Sequence, residues 1–367
     1  MAGKVQISAA QMGALLYLST IGTAFLVMPS AATLMAGSDM WLTPIFASLG
    51  GFIPIWAAGR FHRLYPGKHF FAVIEAVLGR IAGKAAGILF LLFHLHIGGA
   101  TIRDYSEFIS GNFFQRTPIL VITASMLLVC AMVVKSGVET IARCAQIFLP
   151  AVLALLLINV VLLIPEMNIT EMLPILGNGP LPVVKGVFVV QGWFCQFVLI
   201  TFLLPFVDGD KGNRAGYWSV AAAAATMVLI NLTVLFLFGI DAAQFYYPFL
   251  MASRYIRVAD FIEHVEAMVM ASWVLGTFVR ISLFYYAATV GTAYCTGVKA
   301  EKLFVYPVGM LLIVSAFWVA PSMQALLTFI STWGNMYIMT GYIAFPAFLA
   351  FMGMVRHAAS RAGSSSR

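Results

Sequence analysis

Between residues 10 and 353 the chain passes through ten apolar stretches of about the length that crosses a bilayer as a helix. They run over roughly 10–36, 41–60, 84–108, 118–134, 142–164, 185–206, 216–239, 262–292, 304–320 and 324–353. The bilayer core offers no water to backbone N–H and C=O groups, so a spanning segment must satisfy them internally, and long apolar runs do so as helices. The expected fold class is therefore an all-α integral membrane protein. The connections are too short for a separate soluble unit, so 1–367 is expected to form a single transmembrane domain with 354–367 as a short cytoplasmic tail. The two longest connections, 165–184 and 240–261, are rich in Pro, Tyr and polar residues and leave room for short surface helices.

Charge supports the same count. Only 10% of residues are charged, against about 25% in a soluble domain. The net charge of +7 does not point to nucleic acid, because the basic residues sit mostly in short loops. If the spans alternate, 15 of the 21 Lys and Arg fall on the side of the N-terminus and 4 on the other, with Arg103 and Arg280 inside spans. The positive-inside rule then places both termini in the cytoplasm of a multi-pass cell-membrane protein. Cys130, Cys144, Cys195 and Cys295 show no metal-type spacing and are expected to be free thiols. The first apolar run is longer than the h-region of a signal peptide, so it reads as the first membrane helix.

Two interruptions organise the rest. Ser19-Thr20-Ile21-Gly22-Thr23 lies in the middle of the first run, and Gln191-Gly192-Trp193 lies in the sixth. Ten spans divide as five plus five, and the first and sixth are equivalent positions. Paired interruptions in corresponding halves point to an inverted repeat, about 10–164 and 185–353, with a binding site at the broken helices. The competing reading of the first break is a small-residue face for helix packing. Around Gly192, the side chains of Phe188, Gln191, Trp193, Phe194 and Gln196 suit a pocket for a small polar organic molecule.

Other polar residues divide into structural and functional candidates. His94 and His96 are two apart and face different sides of a helix, so they are a poor metal pair. Arg103 and Glu107 are one turn apart near a helix end and read as a structural ion pair beside Asp104. Asp260, Glu263 and Glu266 read as the acidic start of the eighth helix. Arg280 is different. It lies near mid-membrane, follows Gly276-Thr277-Phe278, and shares a face with Trp273 and Glu266. A charged side chain there costs at least ~2.5–3.5 kcal/mol, so it must face the bundle interior and meet a partner. There is no Walker loop, zincin motif or nucleophile elbow, so no enzyme, cofactor or bound metal is expected.

Four stretches resemble the endospore germination permeases, the membrane-embedded B subunits of germinant receptors within the amino acid–polyamine–organocation transporter superfamily. They are Ile7-Ser8-Ala9-Ala10-Gln11 with Ile21-Gly22-Thr23; Ser136-Gly137-Val138-Glu139-Thr140-Ile141-Ala142-Arg143; Leu173-Pro174-Ile175-Leu176 with Lys185-Gly186; and Arg254-Tyr255-Ile256 through Asp260-Phe261-Ile262-Glu263 to Trp273 and Arg280-Ile281-Ser282. The resemblance implies a leucine-transporter-like fold with an amino acid-sized ligand between the first, third, sixth and eighth helices. It implies receptor A and C subunits as partners, in the inner membrane of a spore. Such proteins often carry Gly-Glu at the sixth-helix break. This chain has Gly192-Trp193, which removes that carboxylate.

The ligand site expected on these grounds comprises Thr20, Gly22, Thr23, Gln191, Gly192, Trp193, Gln196 and Thr277. Arg280 is expected to stand in for a cation by bridging carbonyls of the first helix. The expected function is a receptor subunit that binds a small ligand and triggers germination. The alternative is an amino acid permease, proton- or sodium-coupled or a uniporter. The fold alone does not separate them.

Overall fold

A computed structural model describes residues 6–255 and 265–365. The described residues are helical throughout, with no strand. Asp260 and Glu263, part of the expected acidic helix start, lie outside them, as does Arg257 of the basic-residue count.

The first half contains α1 (Ala9–Ala36), α2 (Thr43–Leu64), α3 (Phe70–Leu78), α4 (Arg80–Asn112), α5 (Ile119–Ser136) and α6 (Val138–Leu163). The second contains α7 (Leu181–Phe194), α8 (Ile200–Leu203), α9 (Gly209–Phe238), α10 (Pro248–Tyr255), α11 (Glu266–Thr296), α12 (Val305–Val319), α13 (Met323–Ser331), α14 (Gly334–Met339) and α15 (Phe345–Ser365). Among the described residues nine helical segments are long and apolar enough to cross a membrane; the first, Ala9–Leu64, holds both α1 and α2 and so covers two of the ten expected spans. Ser8 starts α1 through a capping box with Gln11, which satisfies two of the free N–H groups at the helix start.

α1 is the axis of the bundle. It packs against α6, α7, α9 and α11, so helices of both halves meet on it. The α1–α2 hairpin is almost wholly inside the protein, whereas most of α6 lies on the surface of the bundle. The apolar residues of α1 thus serve protein packing, while those of α6 mostly face lipid.

Three differences from the sequence reading have clear causes. The segment at 60–84 is not a plain loop. Phe70, Phe71, Val73, Ile74 and Val77 recur at helical spacing and are all buried, which builds α3; it is too short to register as a span. The stretch 324–353 is not a single helix. The chain breaks at Thr332 between α13 and α14, and a Cβ at Gly334 would lie 2.4 Å from the Phe329 carbonyl oxygen, so only glycine allows that approach. A π-helical turn at Thr340–Ala344 then leads into α15.

The third difference concerns the first break. The backbone through Ser19–Thr23 is α-helical, not unwound. Ser19 and Thr20 donate their hydroxyls to the Leu16 carbonyl at 2.9 and 3.1 Å, so both are satisfied within the helix. Gly22 is there for a crossing: a Cβ on it would lie 2.4 Å from the Gly276 carbonyl carbon of α11. The packing-face reading holds at this position. The sixth span does change character. α7 tightens into a 3₁₀ segment at Cys195–Leu199 before α8 resumes.

The basic loops gather at one end of the bundle. Arg63 pairs with Asp210 at 3.6 Å, Lys135 donates to the Tyr306 hydroxyl at 3.3 Å, and Arg80, Lys84 and Lys299 line one crevice.

Candidate functional site

A cavity opens where α1, α4, α7, α11 and the tenth span converge. It holds about 560 Å³ of space free of protein atoms, its open mouth included. α1 supplies Thr23 and Val27; α4 supplies Ile97, Ala100, Thr101 and Asp104. Gly192, Trp193 and Gln196 come from the α7 end, Arg280 from α11, and Leu326, Phe329, Asn335 and Ile338 from α13 and α14.

Arg280 is the hub. Nη1 donates to Thr23 Oγ1, and Nη2 donates to Thr101 Oγ1 at 3.3 Å. Thr101 can accept because its own hydroxyl hydrogen goes to the Ile97 carbonyl at 3.0 Å. One guanidinium therefore ties α11 to both α1 and α4. Its Cζ lies 5.8 Å from the Phe284 ring centre, which adds a cation–π contact. Asp104 attracts Arg280 electrostatically, yet the described residues place no carboxylate in ion-pair contact with Arg280. Asp104 is half-buried and lines the cavity, so cation and anion face one space. The expected contact with first-helix carbonyls is corrected: Arg280 meets hydroxyls, and the carbonyl of Gly22 accepts instead from Thr277 Oγ1 at 3.1 Å.

Of the residues expected in the site, Thr23, Gly192, Trp193, Gln196 and Arg280 line the cavity. Gly22 and Thr277 belong to the α1–α11 crossing, and Thr20, whose hydroxyl donates within α1 to the Leu16 carbonyl, does not line the cavity. Gln191 packs on α2, where a Cβ at Gly50 would lie 2.2 Å from its Nε2. Phe188 is 41% exposed and faces outward, and Phe194 is buried against Phe197.

Sequence reasoning missed Asp104, Thr101 and the tenth-span residues. Asp104 carried a usable signal: Arg103 and Glu107 satisfy one another, at 2.6 Å, and leave the neighbouring carboxylate without a partner one turn away. That ion pair is as expected, and Arg103 also donates to the Pro321 carbonyl at 2.9 Å. His94 is a satisfied core residue, with Nε2 3.2 Å from the Phe284 carbonyl and Nδ1 accepting from the Tyr342 hydroxyl at 2.8 Å. His96 turns away from it, among Phe329, Tyr337 and Trp318. The four cysteines are free.

Two amide side chains, of Gln196 and Asn335, line the cavity. Gln196 is 3% exposed, and its Oε1 meets no protein donor. Such a buried acceptor costs ~1–3 kcal/mol unless a donor reaches it. A Cβ at Gly192 would fall 2.4 Å from Asn335 Oδ1. Gly192→Ala is thus expected to push the Asn335 amide out of its place at the cavity and so to weaken ligand binding. Binding isotherms beside thermal unfolding check this; an unchanged affinity would mean that position 192 does not shape the cavity.

A family model described as "Spore germination protein" matches residues 6–323. Spore germination protein KB of Bacillus subtilis (strain 168) is 26% identical over 86% of this chain and 86% of its own length. Spore germination protein XB of Bacillus anthracis is 25% identical over 68% of this chain and 70% of its own. Among solved structures, a Na+-coupled sialic acid symporter superposes with a TM-score of 0.64 at 12% identity, covering 92% of this chain and 79% of that one. Mhp1, a nucleobase-cation-symport-1 family transporter, gives 0.64 at 15% identity over 91% and 75%. At such identities these structures establish the leucine-transporter-like fold and nothing about ligands.

Proposed function

The chain belongs to the spore germination protein family, and from that premise we propose that it is the membrane-embedded B subunit of a germinant receptor, binding an amino acid in the cavity between α1, α4, α7 and α11. Binding triggers germination and does not require transport. The observation that carries this reading is a cation and an anion lining one cavity, Arg280 and Asp104. A guanidinium presents N–H donors matched to a carboxylate. Asp104 and Gln196 Oε1 present acceptors matched to an ammonium. Val27, Ile97 and Ile338 leave an apolar wall for a side chain. A zwitterion is the ligand class that uses both charges.

The test is titration of the purified protein with amino acids, with the matching amines that lack the carboxylate, and with the matching acids that lack the amino group. The zwitterion should bind at least about tenfold more tightly than either truncated form, because each loses a charged hydrogen bond of ~1.5–3 kcal/mol. Equal binding of an amine or an acid would refute the assignment. A second reading, a proton- or sodium-coupled permease or a uniporter, draws on the fold shared with cation symporters. Accumulation of labelled amino acid in vesicles would favour it.

The proposed partners are receptor A and C subunits in the spore inner membrane. The convergence of basic loops at one end of the bundle supports cytoplasmic termini. Reporter fusions should place both termini inside, and opposite sides would overturn the topology.

A further inference from the structure

We propose that the crevice at the basic end of the bundle binds the phosphate headgroup of an anionic phospholipid, with an acyl chain in the groove between α4 and α11. The crevice holds about 1060 Å³ of space free of protein atoms, its mouth included. Arg80 and Lys84, one turn apart on α4, and Lys299, after α11, all line it. None of the three forms an ion pair among the described residues, whereas Arg63, Arg103, Arg143 and Lys211 all do.

Two acidic residues, Glu75 and Glu301, share the crevice and offset part of this charge. Glu75 accepts a hydrogen bond from the Tyr294 hydroxyl. Glu301 is exposed at the start of the 3₁₀ turn that precedes α12. His69 stands edge-on to Tyr294 with ring centres 4.9 Å apart, and burial lowers its pKa, so it adds an N–H donor without charge. Three cations against two carboxylates leave the crevice net positive. A phosphate group is the ligand such a site fits.

The lipid part follows from what adjoins the crevice. Lys84 and Tyr294 also line a second, smaller groove, completed by Gly83, Gly87, Ile88 and Cys295. Gly87 leaves the surface of α4 flat there: a Cβ would have one neighbour within 4 Å, Phe71 Cδ1 at 3.7 Å. Beyond the groove, Ile81, Leu89 and Leu92 are 88%, 68% and 58% exposed on α4. Cations next to a largely apolar groove, with exposed apolar side chains beyond it, complement a molecule with a phosphate at one end and a hydrocarbon chain at the other. A soluble phosphate would leave the groove unused. A lipid bound here touches the two helices that carry Asp104 and Arg280.

The experiment is lipid retention by the purified full chain in detergent, read by native mass spectrometry. The probes are phosphatidylglycerol, phosphatidylcholine of the same chains, and glycerol 1-phosphate. Phosphatidylglycerol should be retained at least about tenfold better than phosphatidylcholine, at ~1 kcal/mol per basic side chain near the headgroup. Glycerol 1-phosphate should bind at least about 100-fold more weakly, since each buried CH₂ contributes ~0.8 kcal/mol. Replacing Arg80, Lys84 and Lys299 by Gln should abolish the preference; replacing Lys211, Arg214 and Arg356 should not. Gly87→Leu should fill the groove and weaken phosphatidylglycerol while leaving glycerol 1-phosphate unchanged. Equal retention of the two lipids by the wild type would overturn the proposal, and that measurement needs no variant to fold. Tight binding of glycerol 1-phosphate would overturn it in favour of a soluble phosphate ligand, and equal losses in both triple variants would overturn it as non-specific charge.

Discussion

Arg280→Met is expected to weaken amino acid binding by at least about 100-fold, because breaking a buried charge arrangement costs ~3–5 kcal/mol and each 1.4 kcal/mol is tenfold. The variant loses the donors to Thr23 and Thr101 together, and with them the link from α11 to α1 and α4. It also leaves Asp104 in the cavity without its opposing charge. Arg280→Lys keeps the charge but has one ammonium where two nitrogens of a planar fork reach two hydroxyls, so it should fall between wild type and Met. A double variant with Asp104→Asn should be less damaged than the sum of the singles if the two charges act as a pair. A guanidinium also supplies permanent positive charge beside α1, so binding by the wild type should not depend on sodium. Titrations of the wild type, the three single variants and the double variant, with and without sodium, provide the check. A Met variant with full affinity, or strong sodium dependence in the wild type, would remove Arg280 from the role proposed for it.

Gly22→Leu is expected to abolish folding of the bundle rather than ligand response alone. Even alanine at this position places its Cβ 2.4 Å from the Gly276 carbonyl carbon and 2.7 Å from its oxygen. Both are backbone atoms, so no side chain can swing aside and the helices must separate. Separation would lengthen the Thr277 bond to the Gly22 carbonyl and the Arg280 bond to Thr23. Gly22→Ala should therefore cost ~1–3 kcal/mol, the usual range for overpacking, and Gly276→Ala should cost about the same because the contact is reciprocal. Thermal unfolding in detergent measures both, and the Leu variant should yield no monodisperse protein. A wild-type unfolding temperature for Gly22→Ala would show that the crossing is looser than this.

The two glycines singled out by sequence show where such reading stops. Gly22 and Gly192 sit at matched positions in the first and sixth spans. The first provides a helix crossing with Gly276, and the second clears room for Asn335 at the cavity. Nothing local distinguishes them, because what decides each role is the atom that approaches from another helix. The same holds for Thr20 and Thr23, three residues apart. Thr20 donates back to Leu16, while Thr23 accepts from Arg280 and lines the cavity.

What the sequence by itself determined was the fold class, the ten spans and an interior position for Arg280. Each follows from a local rule. A bilayer forces every spanning segment to satisfy its own backbone, and it penalises a charge wherever the helix turns. What only the tertiary structure decided was the membership of the cavity: Asp104 and Thr101 in, Gln191 and Thr277 out, and Asn335 across the break in the tenth span. Helices this apolar on all sides carry no stripe to mark an inward face. Their rotation is set by packing between neighbours, through close contacts such as Gly22 on Gly276, and that information lies in pairs of residues 254 positions apart rather than in any single run of the chain.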